Sequence, residues 1–158
     1  MLKKYLTVFF ISMVPLIELR GAIPVARGLQ LPLTTSYIIA VIGNMLPVPF
    51  IYLFAEKVLN FGCNMGGPFG SFCSFCVNKG QKAGEKLSRS AGNKGLFLAL
   101  MLFVGIPLPG TGAWTGTLAA SFLKMDFKTS VLAAMCGVML AGIIMMIASH
   151  FGFHMIGM

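Results

Sequence analysis

Apolar residues along this chain come in four long blocks that carry almost no charge, at 5–17, 37–55, 96–109 and 131–149. Extended by a few residues, the second and fourth blocks reach the roughly 20 residues that a helix needs to cross the hydrocarbon core of a bilayer. The first and third blocks are shorter and run into proline, glycine or charged residues. The pattern predicts two membrane spans and two interrupted apolar segments.

The two halves of the chain resemble each other. When 35–46 is aligned with 129–140, Thr, Ser, Ala, Gly, Met and Leu coincide at six of the twelve positions. Upstream, 14–16 matches 106–108, and each triplet has a central proline. Each half therefore reads as an apolar arm, a broken turn, a second arm and one long span, which indicates an internal repeat.

The breaks predict an unusual backbone. In lipid, every backbone N–H and C=O must be paired within the protein, and irregular backbone is tolerated only where protein buries it or a wet cavity solvates it. The residues that would leave such groups unpaired are Pro15, Gly21, Pro24, Pro107, Pro109, Gly110, Gly112 and Gly116. Each broken segment is therefore predicted to be a re-entrant helical hairpin.

The predicted fold is an all-α integral membrane protein with two inverted repeats, each a re-entrant helical hairpin plus one transmembrane helix. The first repeat, 1–56, has its hairpin at about 5–31 and its span at about 34–55. The second, 95–158, has its hairpin at about 95–123 and its span at about 129–150.

The repeats are joined by a basic linker, 57–94. Basic loops face the cytoplasm, and residues 71–90 fit either a short amphipathic surface helix, with Phe72 and Phe75 facing lipid, or a solvated loop. Two hairpins and two spans place both termini outside, whereas a plain four-span bundle places both inside. The Lys and Arg counts do not separate these topologies, and the need to explain the breaks favours hairpins.

Composition supports the membrane assignment. The 158 residues are 57% hydrophobic and 10% charged, with a mean hydropathy of +0.88. Soluble domains usually carry about 25% charged residues. The net charge of +8 lies mainly in the linker, without a basic helix or an aromatic RNA-binding motif, so no nucleic-acid partner is expected. The predicted location is the plasma membrane, as a multi-pass protein, and a chain this small is expected to form a homodimer.

The N-terminal segment also has features of a signal peptide. Lys3 and Lys4 followed by apolar residues 5–17 resemble its first two regions, but the next residues, 18–20, are not a small-residue cleavage site. The segment is therefore expected to be part of the first hairpin.

Glu18 is the only acidic residue inside an apolar block. A carboxylate at membrane depth is costly and is by default a candidate functional group, here one that binds and releases a proton during transport. Arg20 follows two residues later and would point away from Glu18 on an intact helix. On an extended tip the two would share a face. The alternative is a neutralised pair that only ties the hairpin to its neighbours.

The segment 109–116 is the second candidate site. Its glycines can expose consecutive N–H groups as an anion-binding nest, often at a helix N-terminus, although they may equally serve close helix packing. Its single tryptophan would contact a ligand or lie at the headgroup level. The candidate substrate-binding residues here are Gly110, Thr111, Gly112, Trp114 and Thr115.

Arg27 and Asn44 complete the candidate substrate-binding set. With one carboxylate, two arginines and several N–H and OH donors, the set favours an anionic head group such as a lipid phosphate. Asn44 precedes Pro47 and Pro49, which must kink or end the first span. It would either pair the freed backbone groups or contact a ligand directly.

No enzyme activity, cofactor or metal is predicted. Cys73 and Cys76 form one isolated pair, and His150 and His154 lack a third ligand. The chain has no nucleophile–base arrangement, Walker sequence or dinucleotide fingerprint.

Three motifs carry a family resemblance: 15–24, Gly43-Asn44-x-x-Pro47-x-Pro49, and 107–116. Through them nearly the whole chain closely resembles the small multidrug export family of prokaryotes, which implies export. That family is distantly similar to the DedA (VTT) superfamily, whose paired re-entrant hairpins are associated with proton-coupled movement of carrier lipid phosphate. This chain lacks the longer acidic and arginine motifs of DedA proteins.

The leading functional prediction is secondary transport by alternating access. Glu18 would couple to protons, and the candidate binding residues would hold the head group of a lipid-linked or amphiphilic substrate among membrane lipids. The alternatives are an exporter of small organic cations and a non-transporting membrane scaffold or scramblase.

Overall fold

The computed structural model describes residues 1–15, 17–64, 67–108 and 110–155. Within these ranges, it does not describe the side chains at many positions of 56–91 and at 153–155. Every regular element in this part of the chain is a helix. In order, the helices are α1 (Leu2–Met13), α2 (Glu18–Gly28), α3 (Leu33–Met45), α4 (Val48–Asn64), α5 (Pro68–Gly105), α6 (Ala113–Phe122) and α7 (Phe127–Met155). The all-helical prediction is confirmed.

Proline and glycine account for most of the helix boundaries. α3 ends at Met45, two residues before Pro47, because that proline has no N–H to donate to the preceding turn. α5 ends at Gly105, and the next residue, Ile106, is extended because Pro107 disfavours helical geometry in the residue before it. Gly92, with a φ of 66°, interrupts α5, so its apolar part is the stretch Gly92–Gly105.

The chain folds back on itself twice. The Lys4 ammonium group, in the first turn of α1, donates to the Leu29 carbonyl just beyond α2, at 3.0 Å. In the second half, a Cβ atom on Gly116 of α6 would lie 2.5 Å from Val104 Cγ2 near the end of α5. The structure thus contains two helical hairpins, whose turns at 14–17 and 106–112 are termed the first tip and the second tip.

Two apolar stretches are long enough to cross a bilayer. They are Leu33–Ala55, with 23 residues, and Phe127–Gly152, with 26 residues. Only 39% and 33% of their most apolar windows are buried, and Phe50 and Ile147 are 69% and 54% exposed. The core helix of a soluble protein would be mostly buried. The exposed apolar surface is typical of a membrane protein.

The hairpin helices are shorter. α1, α2 and α6 contain 12, 11 and 10 residues, so at 1.5 Å per residue they extend about 15–18 Å. A hydrocarbon core is about 30 Å thick. Each of these helices alone therefore reaches roughly half of that distance.

The second arms of the two hairpins end in the same local geometry. After α2, Gln30 has a φ of 57° and the N–H of Leu31 donates to the Ala26 carbonyl at 3.0 Å. After α6, Lys124 has a φ of 50° and the N–H of the next residue again bonds five positions back, at 3.0 Å. Both ends are Schellman caps at corresponding positions of the two halves.

Glycines at corresponding positions also let the first helix of each hairpin, α1 or α5, contact the long apolar helix of the same half, α3 or α7. A Cβ on Gly43 of α3 would lie 2.7 Å from the Phe9 carbonyl oxygen, and one on Gly137 of α7 would lie 2.7 Å from the Met101 carbonyl oxygen. Such close backbone approach is how small residues stabilise helix packing in membranes. Alanines supply much of the remaining core: Ala22, Ala26, Ala40, Ala113, Ala120, Ala133 and Ala134 are fully buried.

Two local expectations differ from the structure. Gly21 and Pro24 lie inside α2, and Gly116 lies inside α6, so these three residues do not contribute to the breaks. The linker is also mainly helical: α4 runs to Asn64 and α5 begins at Pro68. Residues 71–90 are thus helix and not a solvated loop, while Phe72 and Phe75 lie outside the described side chains.

Candidate functional site

The two tips meet at Glu18. Its side chain is only 4% exposed, and its carboxylate accepts hydrogen bonds from the backbone N–H groups of Ala113, at 3.2 Å, and Trp114, at 3.1 Å. Ala113 is the first residue of α6. The carboxylate therefore lies at the positive end of the α6 dipole, where helices commonly bind anions.

Gly112 makes room for this contact. Its φ of 150° lies in the region that favours glycine. A Cβ there would lie 2.6 Å from the Glu18 carboxyl carbon, well inside van der Waals contact. Gly110, with a φ of 83°, has nothing within 4 Å of the corresponding position. The two glycines thus share an unusual backbone, but only Gly112 accommodates the carboxylate.

The backbone at Glu18 is irregular, as its spacing from Arg20 suggested. Glu18 has a φ of 51° and is the first residue of α2 after the four-residue first tip. This conformation is uncommon for a residue with a side chain. It allows Glu18 and Arg20 both to contact the second hairpin.

Arg20 binds the carbonyls of the second tip. Its guanidinium donates to the carbonyls of Val104 and Ile106, each at 3.2 Å, to the Leu108 carbonyl, and to Thr111 Oγ1 at 2.9 Å. The last carbonyls of a helix have no partner within it. Arg20 therefore satisfies the end of α5 and the turn that follows, and its planar fork suits several acceptors at once.

The two threonine hydroxyls also bond within the second hairpin. Thr111 Oγ1 lies 3.0 Å from the Ile106 carbonyl oxygen and 2.9 Å from that of Leu108, and it donates to one of them at a time. Thr115 Oγ1 donates to the Gly112 carbonyl at 3.4 Å. Their hydrogen-bonding capacity thus helps to shape the tip.

Glu18 and Arg20 hold opposite ends of the same turn. The carboxylate binds the N–H groups that begin α6, whereas the guanidinium binds the carbonyls that end α5. Both residues therefore tie the first hairpin to the second through backbone groups. The side chains of Glu18, Arg20 and Thr111, expected to be available to a substrate, are in this conformation bonded to the protein itself.

Two predicted residues make no contact with this cluster. Arg27 lies in the last turn of α2, about 10 Å along the helix from Arg20, and its side chain forms no hydrogen bond or ion pair with the described residues. Asn44 is fully buried in α3, and neither its Oδ1 nor its Nδ2 atom has a partner within the described part of the chain. The expected pairing of Asn44 with freed backbone groups is absent there.

Trp114 contributes to the cluster through its backbone. Its N–H binds Glu18, while its indole Nε1 is buried without a partner among the described residues. No cluster of three or more His, Cys, Asp or Glu able to hold a metal occurs in the described ranges. The side chains of Cys73, Cys76 and His154 lie outside those ranges.

Sequence reasoning missed the backbone partners, Ala113 on one side and the carbonyls of Val104, Ile106 and Leu108 on the other. One signal was available. Extending the alignment of 35–46 with 129–140 upstream without a gap places Glu18 opposite Gly112. In the structure, the acidic residue of one half contacts the glycine at the aligned position of the other half.

The comparison with known proteins agrees with the sequence motifs. Residues 18–144 match the profile of a family described as "Putative small multi-drug export protein". No curated protein and no solved structure matches the chain. The matched region begins at Glu18, directly after the first tip, and includes the second tip, all of Leu33–Ala55 and most of Phe127–Gly152. The more distant similarity to DedA proteins stays a prediction. Because the family profile covers most of its length, the chain belongs to the small multi-drug export family, a family of membrane export proteins.

Proposed function

We propose that this protein is a proton-coupled secondary transporter for a lipid-linked or amphiphilic substrate with an anionic head group. Glu18 would be the group that binds the proton, and the N-terminus of α6 would receive the head group. The observation that carries the proposal is the pair of hydrogen bonds from Ala113 and Trp114 to the Glu18 carboxylate.

The proposed architecture has two inverted halves, each with a re-entrant hairpin and a span. The short hairpin helices and the matching caps after α2 and α6 support it. Contacts between α3 and α7 support opposite directions for the spans. Tyr37, early in α3, donates to the Met139 carbonyl at 3.1 Å and packs where a side chain on Gly142 would be. Met45, late in α3, shares a groove with Met135.

In this architecture, the linker and the turn between α6 and α7 lie on the same side of the membrane. Most of the basic residues then face the cytoplasm, with both termini outside, which agrees with the positive-inside rule. The protein would be a multi-pass component of the plasma membrane.

The proposed coupling follows from the chemistry of the Glu18 site. An ionised carboxylate accepts hydrogen bonds from two N–H groups and is favoured by the helix dipole. A protonated carboxyl group is neutral and loses the charge-assisted part of this attraction. The N–H groups of Ala113 and Trp114 would then be available to a phosphate or carboxylate oxygen. Proton and anionic substrate would therefore bind together and travel in the same direction.

An apolar groove supports the amphiphilic character of the substrate. Its volume is about 420 Å³. The residues that line it come from α3 and α7: Val41, Ile42, Met45, Leu46, Met135 and Met139. Methionine side chains adapt to irregular apolar shapes. The groove would receive the hydrocarbon part of the substrate while the head group reaches the tips.

Transport in proteoliposomes tests the proposal. Purified protein is reconstituted with a fluorescent alkyl phosphate as substrate and a pH-sensitive dye inside the vesicles. The wild type should take up the phosphate with protons when the outside is acidic. Glu18→Gln should lose the response to the pH gradient, and Arg27→Gln, outside the cluster, should keep it. A Glu18→Gln variant that still follows the pH gradient would refute the coupling role.

The family description favours a second candidate, an exporter of small organic cations. A cation would compete with the proton for Glu18, so the two would move in opposite directions. The same vesicles distinguish the candidates when tetraphenylphosphonium replaces the alkyl phosphate: exchange of this cation for protons favours drug export. Movement that ignores the pH gradient would instead indicate a scramblase, and no movement of either compound would indicate a non-transporting scaffold.

A further inference from the structure

The amide of Asn44 is the most poorly satisfied side chain in the described part of the chain. It is fully buried, and both Oδ1 and Nδ2 lack a hydrogen-bond partner there. It is also the central residue of the apolar stretch Leu33–Ala55. Buried polar groups in native proteins are almost always paired with protein, water or a ligand. The amide therefore points to an occupant near the middle of the bilayer.

The backbone beside Asn44 provides further oxygen acceptors. α3 ends at Met45 and α4 begins at Val48. Because proline has no N–H, Pro47 cannot donate to the carbonyl of Gly43, and Pro49 cannot donate to that of Met45. Both carbonyls lose their usual helical donor within one turn of Asn44. They lie at the C-terminal, negative end of the α3 dipole.

A serine hydroxyl lies against the same turn. Ser12 of α1 is fully buried, and a Cβ on Gly43 would collide with its Oγ atom. That hydroxyl donates its hydrogen to the Phe9 carbonyl at 2.7 Å, so its lone pairs remain as acceptors. α1 ends one residue later, at Met13. The break in the first span is therefore at the depth of the first tip.

The chemistry of these groups favours a monovalent cation. The acceptors are neutral oxygens at a negative helix end, which disfavours an anion. Divalent cations prefer carboxylates, and Glu18, the acidic residue of the first tip, already binds α6. Unwound carbonyls and the C-terminal ends of half-helices are the groups that coordinate Na⁺ in broken transporter helices. A water molecule on the ion can accept the hydrogen bond that Asn44 Nδ2 offers.

We infer that Asn44 and the α3–α4 break form a binding site for a monovalent cation of sodium size, distinct from the proton site at Glu18. The second half of the chain provides an internal contrast. The position that corresponds to Asn44 is Val138, which is also fully buried. α7 continues through it without a proline break. The inferred site thus belongs to one half only.

Thermal unfolding of the purified protein in detergent tests this inference. Trp114 fluorescence is followed while NaCl replaces N-methylglucamine chloride at constant pH and ionic strength. When Na⁺ exceeds its Kd about a hundredfold, the wild-type Tm should rise by about 5–10 °C. Asn44→Val should fold, because it removes the unpaired amide at similar volume, and should lose the sodium response. Pro47→Ala, which returns a donor to the Gly43 carbonyl, should weaken it.

Val138→Asn is the matched control, since it puts an amide at the corresponding position of α7, where the helix has no proline break. It should gain no sodium response. An equal Tm of the wild type in both salts, an unchanged response in Asn44→Val, or a new response in Val138→Asn would each overturn the inference. The Glu18→Gln variant should keep the sodium response. The sodium site and the proton coupling can therefore fail independently.

Discussion

Replacing Gly112 by alanine should displace the Glu18 carboxylate and also strain the backbone, and a control variant distinguishes the two effects. The new Cβ would lie 2.6 Å from both the carboxyl carbon and Oε1 of Glu18. The carboxylate must then leave the two N–H groups that begin α6. Gly110→Ala is the matched control, because Gly110 also has a positive φ, but a Cβ there meets nothing within 4 Å.

The expected magnitudes differ clearly. A hydrogen bond to a charged group contributes about 1.5–3 kcal/mol, and the backbone strain at Gly112 would cost about 1–3 kcal/mol. Losing both bonds and adding the strain gives about 4–9 kcal/mol. Gly110→Ala should cost only about 1–2 kcal/mol, the penalty for a side chain in a left-handed conformation. Gly112→Ala is therefore expected to lower Tm by at least about 4 °C more than the control.

The assay is thermal unfolding in detergent, combined with a double-mutant cycle. In a Glu18→Ala background there is no carboxylate to displace, so Gly112→Ala should cost only its strain of about 1–3 kcal/mol. Additive effects of Gly112→Ala and Glu18→Ala, or equal Tm values for Gly112→Ala and Gly110→Ala, would refute the view that the tips are joined through this contact.

Two further predictions use the other packed positions. Arg20→Lys should lower the free energy of unfolding by about 2–4 kcal/mol, because one ammonium group cannot bind all the carbonyls that the guanidinium binds. The control, Arg27→Lys, should leave Tm unchanged. Equal losses in both variants would contradict the role assigned to Arg20. Gly137→Ala should cost about 1–3 kcal/mol through overpacking against the Met101 carbonyl, which Tm measurements would detect. Gly152→Ala, in open space on the same helix, should stabilise it by up to about 1 kcal/mol, so a destabilised Gly152→Ala would argue against the packing explanation.

The spans could be predicted because their signal is local. Long uncharged runs gave 34–55 and 129–150, and the structure has apolar helical stretches at Leu33–Ala55 and Phe127–Gly152. The tips were recognisable for a similar reason, since proline and glycine restrict the backbone wherever they occur. Irregular backbone at Glu18 followed from its spacing to Arg20 and the surrounding breaks.

Other features depend on contacts that local patterns do not encode. α2 continues through Gly21 and Pro24 because its buried face outweighs their weak helix propensity. The partners of Arg20 lie more than 80 residues away along the chain. Arg27 lies at the end of α2 that is distant from the cluster, and no local feature of the sequence distinguished it from Arg20 as a candidate for binding. The sequence also allowed a solvated loop over 71–90, yet these residues lie in α5.

The meeting of Glu18 with Gly112 has a consequence for how such a chain could arise. Two copies of the first half would bring carboxylate against carboxylate, and two copies of the second would bring glycine against glycine. Only the unlike combination supplies an acid together with the space and the N–H groups that receive it. In the proposed inverted-repeat architecture, neither half could therefore replace the other, and a single gene encoding both would keep them in equal supply.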